Sequence, residues 1–528
     1  MTTSAVSTRI ERSINRETVL AHLAFVLLFA LAVYLRVNNL AWNPGWYSDE
    51  GSDLNIARNL AEGRLQYFAL GGTPLVAARV PFFHFALVGA FSLWGYDVLA
   101  ARLVAAIAGV ATIILLYYAA RQMLNERLAL LAAFGLTIMP NALLYDRIGL
   151  AYNLQAFFFV LGWWTLWRFS SDRHVRWLVV AALAAGAAYM TALTGLALVV
   201  AGALIVFWYD ARRVAWALGL MLLPGALYLG ALFLLAPDAL LQDLALIVSR
   251  TGDSVSGQIF NLITNYSFWL DWTVWIGIGI AGLFLLEDRR ARGITLIVFF
   301  VTLINAMRIL PGDASAHRYL GLLPFIALGS ANFVLRARRF LSAQLQNDVR
   351  ELIARLPYWS RLDRPVNAAV SIVVGGLLFA PLIWMGAWDY YLVSSREAPR
   401  STRLDALLAT KPHDAIAVTD FVNTHAQSTD VVLASPTIAW RIQARAADFE
   451  QMLAFEGVAT ENYGAGLPRA RFVFQASLEN ATYVIVDNLW RGWGSQRMPA
   501  LRDYIRTIET WPRVLQRGEY SVYRNPAR

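Results

Sequence analysis

Long runs of apolar residues, separated by short polar segments, dominate the first three quarters of the chain. Most runs approach the roughly 20 residues that an α-helix needs to cross a bilayer core about 30 Å thick. The run 175–209 is too long for one crossing, and a tight turn is predicted at 191–195. Eleven crossings are therefore predicted, at residues 19–37, 99–120, 128–145, 152–167, 175–209 (two), 214–236, 272–286, 294–310, 319–335 and 367–388.

Arginines are concentrated in every second polar loop of this arrangement. Cytoplasmic loops carry the excess of Lys and Arg in membrane proteins, so these loops and the N-terminus are predicted to lie inside. A crossing at the shorter apolar run 80–94 would invert all later loops, so this run is predicted to be an interfacial helix in a long external loop, 38–97. The arginine-bearing loops are 121–127, 168–176, 210–213, 287–292 and 336–364.

After residue 388 the chain becomes polar, and short strand-like and helix-like segments alternate. The predicted fold class is therefore a polytopic α-helical membrane protein, residues 1–388, followed by a small C-terminal extracytoplasmic α/β domain, residues 389–528. The segments predicted in this domain are strands at 430–435, 482–487 and 520–523 and helices at 414–425 and 436–446.

The composition agrees with a membrane protein, since 58% of residues are hydrophobic and 15% are charged, against roughly 25% charged residues in soluble proteins. The net charge of +9 lies largely in arginines of the short loops, so it does not indicate nucleic-acid binding. The absence of cysteine excludes disulfides and thiolate chemistry. An uncleaved first helix predicts a multi-pass protein of the plasma or inner membrane with a cytoplasmic N-terminus.

Three carboxylates, Asp49, Glu50 and Asp53, lie within five residues at the start of the predicted external loop. Acidic side chains at membrane depth are costly, so they usually have a function or a partner. One of them could act as a general base toward an acceptor hydroxyl, or the group could bind a divalent cation. The alternative is structural: Ser48 or Asp49 would cap a helix over residues 51–62.

Three arginines, Arg102, Arg147 and Arg318, lie where predicted spans reach the external side, and His317 precedes the last. Lys and Arg are enriched in cytoplasmic loops, so arginines on the external side are unusual and suggest a specific role. A guanidinium binds phosphate through two parallel hydrogen bonds, which suits an anionic lipid-linked substrate. Snorkelling to lipid headgroups and internal ion pairs are the alternatives. His84, in an aromatic stretch, is interpreted either as a packed, hydrogen-bonded side chain or as a ligand.

The segment 46–63, which contains Asp49-Glu50, resembles the first external loop of the GT-C glycosyltransferases, in particular family 39 and the bacterial aminoarabinose transferases. Other segments are similar to the same family in the same order, so the resemblance covers roughly residues 19–335. The sequence departs from the family at Tyr152 and Asn153, where relatives often carry an acidic residue. The other similar segments are 79–85, 100–109, 146–150 and 316–324.

The resemblance implies a polyprenyl-phosphate-linked monosaccharide as donor, which is transferred with inversion to an acceptor hydroxyl, with Asp49 as base and Glu50 orienting it. The acceptor stays open among protein, glycolipid and polysaccharide. No metal site is predicted, and a divalent cation stays open as a cofactor. The further implied site residues are Arg318, His317, Arg147 and Arg102 at the donor phosphate and Asp53, His84 and Tyr319 in the substrate-facing loop.

Two other functions are considered. A transporter or flippase for lipid-linked saccharides would also bind a lipid phosphate, but it needs polar residues along a path through the bundle. The charges here gather at one membrane face instead. A non-catalytic envelope protein, whose tail binds a partner, leaves the Asp49-Glu50 loop and the external arginines without a role. The glycosyltransferase is the preferred prediction.

Overall fold

A computed structural model describes residues 16–72, 79–249, 273–308, 316–354, 363–395, 410–460 and 462–528. The elements before the C-terminal domain are α1 (Arg16–Val37), α2 (Ser48–Ala61), β1 (Gln66–Tyr67), β2 (Leu70–Gly71), α3 (Pro81–Trp94), α4 (Val98–Met123), α5 (Glu126–Thr137), α6 (Pro140–Asp146), α7 (Ala151–Asp172), α8 (Val175–Thr191), α9 (Leu196–Asp210), α10 (Val214–Leu235), α11 (Pro237–Ser249), α12 (Thr273–Phe284), α13 (Arg289–Arg308), α14 (Leu323–Ala354) and α15 (Asp363–Ser394).

Helical structure is found at each predicted span. Among the described residues, five helices are long and apolar enough to cross a membrane, or six if the bent pair α5 and α6 forms one span. The predicted turn at 191–195 is confirmed, because the 3-10 helix Leu193–Gly195 separates α8 from α9.

The single span predicted over residues 128–145 is broken. Helix α5 ends at Thr137, α6 begins at Pro140, and the two axes differ by 61°. Proline has no N–H to donate to the preceding turn and a fixed φ, so it opens a new helix more readily than it continues an old one. The segment that follows α6 contacts the acidic cluster, because the Gly149 N–H donates to Glu50 Oε1 at 2.7 Å.

The loop 38–97, which is predicted to be external, contains α2, the hairpin β1–β2 and α3. Helix α3 has 14 residues, about 21 Å, which is too short for a bilayer core of about 30 Å. Its length agrees with the predicted interfacial helix. Phe82, Phe85 and Leu93 on α3 are exposed apolar side chains.

The C-terminal domain is a five-stranded sheet covered by helices. The strand order is β4-β3-β5-β7-β6, with β3 parallel to both β4 and β5 and with β7 antiparallel to β5 and β6. Its elements are α16 (Pro412–His425), β3 (Val431–Leu433), α17 (Pro436–Ala439), β4 (Arg445–Ala447), α18 (Phe449–Phe455), β5 (Ala481–Val486), α19 (Ser495–Arg497), α20 (Ala500–Glu509), β6 (Arg513–Arg517) and β7 (Tyr520–Arg524).

The predicted strands of this domain are confirmed, but the helix predicted over 436–446 is wrong in its second half. Only α17 is helical, and Arg445–Ala447 forms edge strand β4. The Arg445 N–H donates to the Asp430 carbonyl at 3.0 Å, and the Ala434 N–H donates to the Ala447 carbonyl at 3.0 Å. Pairing with the buried strand β3 outweighs the helix propensity of the alanines.

Two large cores organise the molecule. One fills the helix bundle. The other is shared between the loop 38–97 and the C-terminal domain, because Trp46, Leu54 and Phe68 belong to the same cluster as Val432 and Trp440. This loop is therefore packed between the bundle and the C-terminal domain.

Candidate active site

The acidic cluster lies in the first turns of α2. Tyr47 is extended and occupies the position before the helix, which begins at Ser48. Glu50 Oε2 accepts a hydrogen bond from the Tyr47 N–H at 3.2 Å. Acidic residues in a first turn also interact favourably with the positive end of the helix dipole. The cap predicted at Ser48 or Asp49 is therefore wrong, because Tyr47 holds the N-cap position and both residues lie inside the helix.

Successive residues of an α-helix are rotated by about 100°, so four consecutive residues of α2 face different neighbours. Asp49 and Asp53, four residues apart, share one face. Glu50 faces the helix bundle, Gly51 faces the C-terminal domain, and Ser52 faces the β1–β2 hairpin. The first turns of α2 are thus held from several sides.

Glu50 forms a buried ion pair with Arg102 of α4, with side-chain exposures of 1% and 0%. Its carboxylate oxygens accept from Nε and Nη2 of Arg102 at 2.8 Å each, and Oε1 also accepts from the Gly149 N–H at 2.7 Å. Arg102 therefore ties α2 and its preceding loop to α4. Its other N–H groups donate, at 2.8 to 3.0 Å, to the carbonyl oxygens of Leu40, Pro44 and Gly45.

Arg147, which is 2% exposed, binds the same connection between α1 and α2. The preceding residue, Asp146, is buried and accepts a hydrogen bond from Arg36 Nε at 2.8 Å. Both residues are thus engaged by the protein itself. Arg147 donates from Nη1 and Nη2, at 2.6 to 2.8 Å, to the carbonyl oxygens of Leu35, Asn38 and Asn43.

Asp53 is buried and binds two cationic or polar partners. Its oxygens accept from Arg79 Nη1 at 3.0 and 3.1 Å, and Oδ1 lies 2.9 Å from His84 Nε2. His84 is 2% exposed, so the packed, hydrogen-bonded interpretation is the one that the structure supports. The predicted substrate-loop residues Asp53 and His84 therefore contact each other and fix Arg79.

Arg79 links the two carboxylates on one face of α2, because Nη2 lies 2.9 Å from Asp49 Oδ1 while Nη1 binds Asp53. Burial disfavours the charged guanidinium, but Asp53 and Asp49 outweigh this effect and raise the pKa of Arg79 above its usual value. Arg79 is therefore a fixed positive charge beside Asp49.

Asp49 differs from its neighbours in exposure. Its side chain is 32% exposed, against 1% for both Glu50 and Asp53. A group that takes a proton from a substrate must be reached by it, so Asp49 is the carboxylate of the cluster best placed for this role.

The 3-10 helix Ala316–Leu322 precedes α14 and contains three predicted site residues. The side chains of His317 and Arg318 lie outside the described residues, so their phosphate contacts stay predictions. Tyr319 is 4% exposed and packs in the core of the bundle.

The sequence reasoning named no role for Arg79. Arg79 lies in the loop that is predicted to be external, so the topological argument that selected Arg102, Arg147 and Arg318 applies equally to it. Asp49 and Asp53 were recognised as candidate site residues, but their contact with Arg79 forms only when the loop 38–97 folds.

The donor set of the cluster does not fit a divalent cation. Both oxygens of Asp53 are bound to Arg79, one of them also to His84, and Glu50 is saturated by Arg102 and two N–H groups. Within the described ranges, no group of three or more His, Asp or Glu side chains is arranged to hold a metal ion. The chemistry proposed below uses none.

Comparison with known proteins agrees with this architecture. Residues 78–240 match the family model described as dolichyl-phosphate-mannose-protein mannosyltransferase. A search of the curated proteins found no match. Among solved structures, the chain is similar to ArnT from Cupriavidus metallidurans bound to undecaprenyl phosphate (TM-score 0.64, 16% identity, 94% of this chain and 97% of that chain).

Two further structures are similar over most of the chain. The apo state of the same ArnT has a TM-score of 0.62 at 16% identity, over 96% of this chain and 97% of that chain. The oligosaccharyltransferase AglB from Archaeoglobus fulgidus, in complex with an inhibitory peptide and a dolichol-phosphate, has a TM-score of 0.54 at 14% identity, over 92% and 72%. The chain therefore has the GT-C fold, and the resemblance to GT-C glycosyltransferases, including family 39, that its sequence predicts is confirmed.

Proposed function

We propose that this protein is an integral membrane glycosyltransferase that transfers a monosaccharide from a polyprenyl-phosphate donor to an acceptor hydroxyl on the extracytoplasmic face. The observation that carries the proposal is the exposure of Asp49. It is the accessible carboxylate of an otherwise buried cluster, and Arg79 holds it at 2.9 Å. The GT-C fold, and the undecaprenyl phosphate and dolichol-phosphate named for similar structures, support the donor class.

The reaction is a single displacement. The acceptor oxygen bonds to the anomeric carbon while the bond from that carbon to the phosphate oxygen breaks, which inverts the configuration. The acceptor proton goes to Asp49, and the electron pair leaves with the lipid phosphate. Because the phosphate is already a stable anion, no general acid is required at the leaving oxygen. Positive charge near the phosphate would stabilise the charge that develops on it.

The arginines divide into two proposed roles. Arg318, with His317, stays the proposed contact to the donor phosphate. All five N–H groups of Arg102 are donated to Glu50 and to backbone carbonyls, and Arg147 donates to three carbonyls. We therefore assign Arg102 and Arg147 to holding the loop before α2, in place of the phosphate contacts expected from the sequence.

The test is transfer of radiolabelled sugar in membranes, with a panel of polyprenyl-phosphate monosaccharides as donors. Wild type should transfer or hydrolyse at least one donor, and Asp49→Asn should lose about 100-fold or more, as expected for removal of a general base. Asp503→Asn, which changes an exposed carboxylate of the C-terminal domain, is the matched control. If Asp49→Asn transfers sugar as fast as wild type, Asp49 is not the base.

A further inference from the structure

The C-terminal domain contacts α2 at the residue between Glu50 and Ser52. Gly51 lies against Pro436, the first residue of α17, and against Trp440 just beyond that helix. Trp440 also packs on Trp46 with ring centroids 5.2 Å apart, and its carbonyl accepts from the Tyr96 hydroxyl at 2.9 Å. The domain therefore touches α2 two residues from Asp49.

Glycine is the residue that this contact requires. A Cβ at position 51 would collide with the Pro436 carbonyl oxygen and lie 2.7 Å from its carbonyl carbon and 2.9 Å from Trp440 Cδ1. The two nearest atoms belong to the Pro436 backbone, which cannot rotate away as a long side chain could. Inside a helix, glycine is otherwise unfavourable relative to alanine. Its presence is explained by the close approach of α17.

The position of Pro436 is itself fixed by the sheet. Ser435, which follows strand β3, donates its hydroxyl to Asp487 Oδ2 at the end of β5. Asp487 Oδ1 accepts from the N–H groups of Leu489 and Trp490 at 3.0 and 3.1 Å. Asp487 therefore caps the start of the segment that follows β5. The carboxyl ends of two parallel strands thus hold the turn that meets Gly51.

A second contact joins the neighbouring residue of α2 to the same domain. The Tyr67 hydroxyl lies 3.0 Å from Ser52 Oγ and 3.4 Å from Asp448 Oδ2, the residue that caps α18. Gln451 of α18 completes the attachment, donating from Nε2 to the Tyr67 carbonyl at 2.9 Å and accepting from the Ala69 N–H at 3.0 Å. All of these groups are buried.

We infer that the C-terminal domain is a positioning part of the active site, with Gly51 as the positioning residue through which it sets the place of Asp49. The inference rests on the proposed function. The bundle holds α2 through Glu50, and the domain closes the opposite side through Gly51 and Ser52. The face that carries Asp49 contacts Arg79, and the Asp49 side chain is 32% exposed there. A side chain at position 51 would therefore displace Asp49 and leave the Asp49 carboxylate itself chemically unchanged.

Gly51→Ala tests this directly, with Gly89→Ala as the matched control. Gly89 lies inside α3 in the same external loop, and nothing lies within 4 Å of a Cβ added there. If helix propensity alone mattered, both changes would be neutral or stabilising. The inference instead expects Gly51→Ala to lower kcat for sugar transfer by about tenfold to 100-fold, the range of a displacement near 1 Å, with donor KM little changed. Gly89→Ala keeps both constants.

Hydrogen–deuterium exchange of the α2 amides (Ser48–Ala61) gives a readout that needs no activity. Gly51→Ala should exchange faster in this peptide than wild type, and Gly89→Ala should not. If Gly51→Ala does not yield folded protein, Tyr67→Phe is tested instead, because it removes one buried hydroxyl and keeps the ring. Tyr67→Phe should then show faster α2 exchange and a lower kcat than wild type.

Wild-type kcat together with unchanged α2 exchange, in Gly51→Ala or in the substitute variant, would overturn the inference. If wild type transfers no sugar from any donor, the proposed function fails, and the exchange data still decide whether the domain positions α2.

Discussion

The substitution Glu50→Gln should destabilise the protein far more than its chemistry suggests. Glu50 accepts four hydrogen bonds, two from Arg102 and one each from the N–H groups of Gly149 and Tyr47. The amide group of glutamine would turn one acceptor into a donor that faces other donors. It would also leave the Arg102 guanidinium buried without a counter-charge.

The size of this effect follows from burial. Arg102 is 0% exposed and Glu50 is 1% exposed, and removal of one partner of such a buried pair costs about 3–5 kcal/mol. The same substitution at Glu62, at the end of the same helix, is the matched control. Glu62 pairs with Arg58 at 3.1 Å, but both side chains are about 40% exposed, and a pair of this kind contributes about 0–1 kcal/mol.

The assay is denaturant or thermal unfolding of the purified protein in one detergent, followed by transfer activity on the folded fraction. Glu50→Gln should lower the unfolding midpoint clearly, and Glu62→Gln should leave it near that of wild type. Combining Glu50→Gln with Arg102→Met should cost less than the sum of the two single changes, because the pair is lost only once. Equal midpoints for the two glutamine variants would refute the buried-pair reasoning.

Two further outcomes are expected. Burial, and after it the Glu450 carboxylate, raises the pKa of Asp448 to about 8, well above its usual value of about 4. Between these two pH values the folded protein keeps the proton and the unfolded chain loses it, so the free energy of unfolding should fall by about 1.4 kcal/mol per pH unit as the pH rises. Asp448→Asn should flatten this part of the profile of unfolding midpoint against pH, and an unchanged slope would contradict the protonated state. Arg79→Gln leaves Asp49 and Asp53 on one helix face without their shared cation, so it should lower kcat/KM for transfer at least about tenfold, or about 1.4 kcal/mol. Arg79→Lys should be intermediate, because an ammonium cannot bridge both carboxylates in the same geometry. Wild-type transfer by the glutamine variant would argue against the bridge.

The positions of the helices could be predicted because the length of an apolar run directly reflects the thickness of a bilayer. The turn at 191–195 was predicted because the run around it exceeded one crossing. The break at Pro140 could have been predicted too, since proline in a helical pattern ends or kinks the helix at the preceding residue. It was missed because hydropathy continues through the break.

The partners of the charged residues could not be predicted in the same way. Arg102 was recognised as unusual, but its partner Glu50 lies 52 residues earlier and meets it only when α2 packs on α4. Strand β4 was missed because three residues at a sheet edge carry too little pattern to outweigh the alanines around them. Asp49 was proposed as the base through its place in a family motif, whereas the contact of Arg79 with Asp49 and Asp53 could be seen only in the folded loop.

The contact of Gly51 with Pro436 has a consequence for the order of events during synthesis. The two residues are separated by 385 positions in the sequence, which a ribosome adding about 5–20 residues per second covers in roughly 20 to 80 s. Helix α2 is therefore synthesised well before the surface that completes its environment. A chain in which the C-terminal domain has not yet folded would hold a helix bundle with an unfinished site, and it would stay inactive until this domain packs on α2.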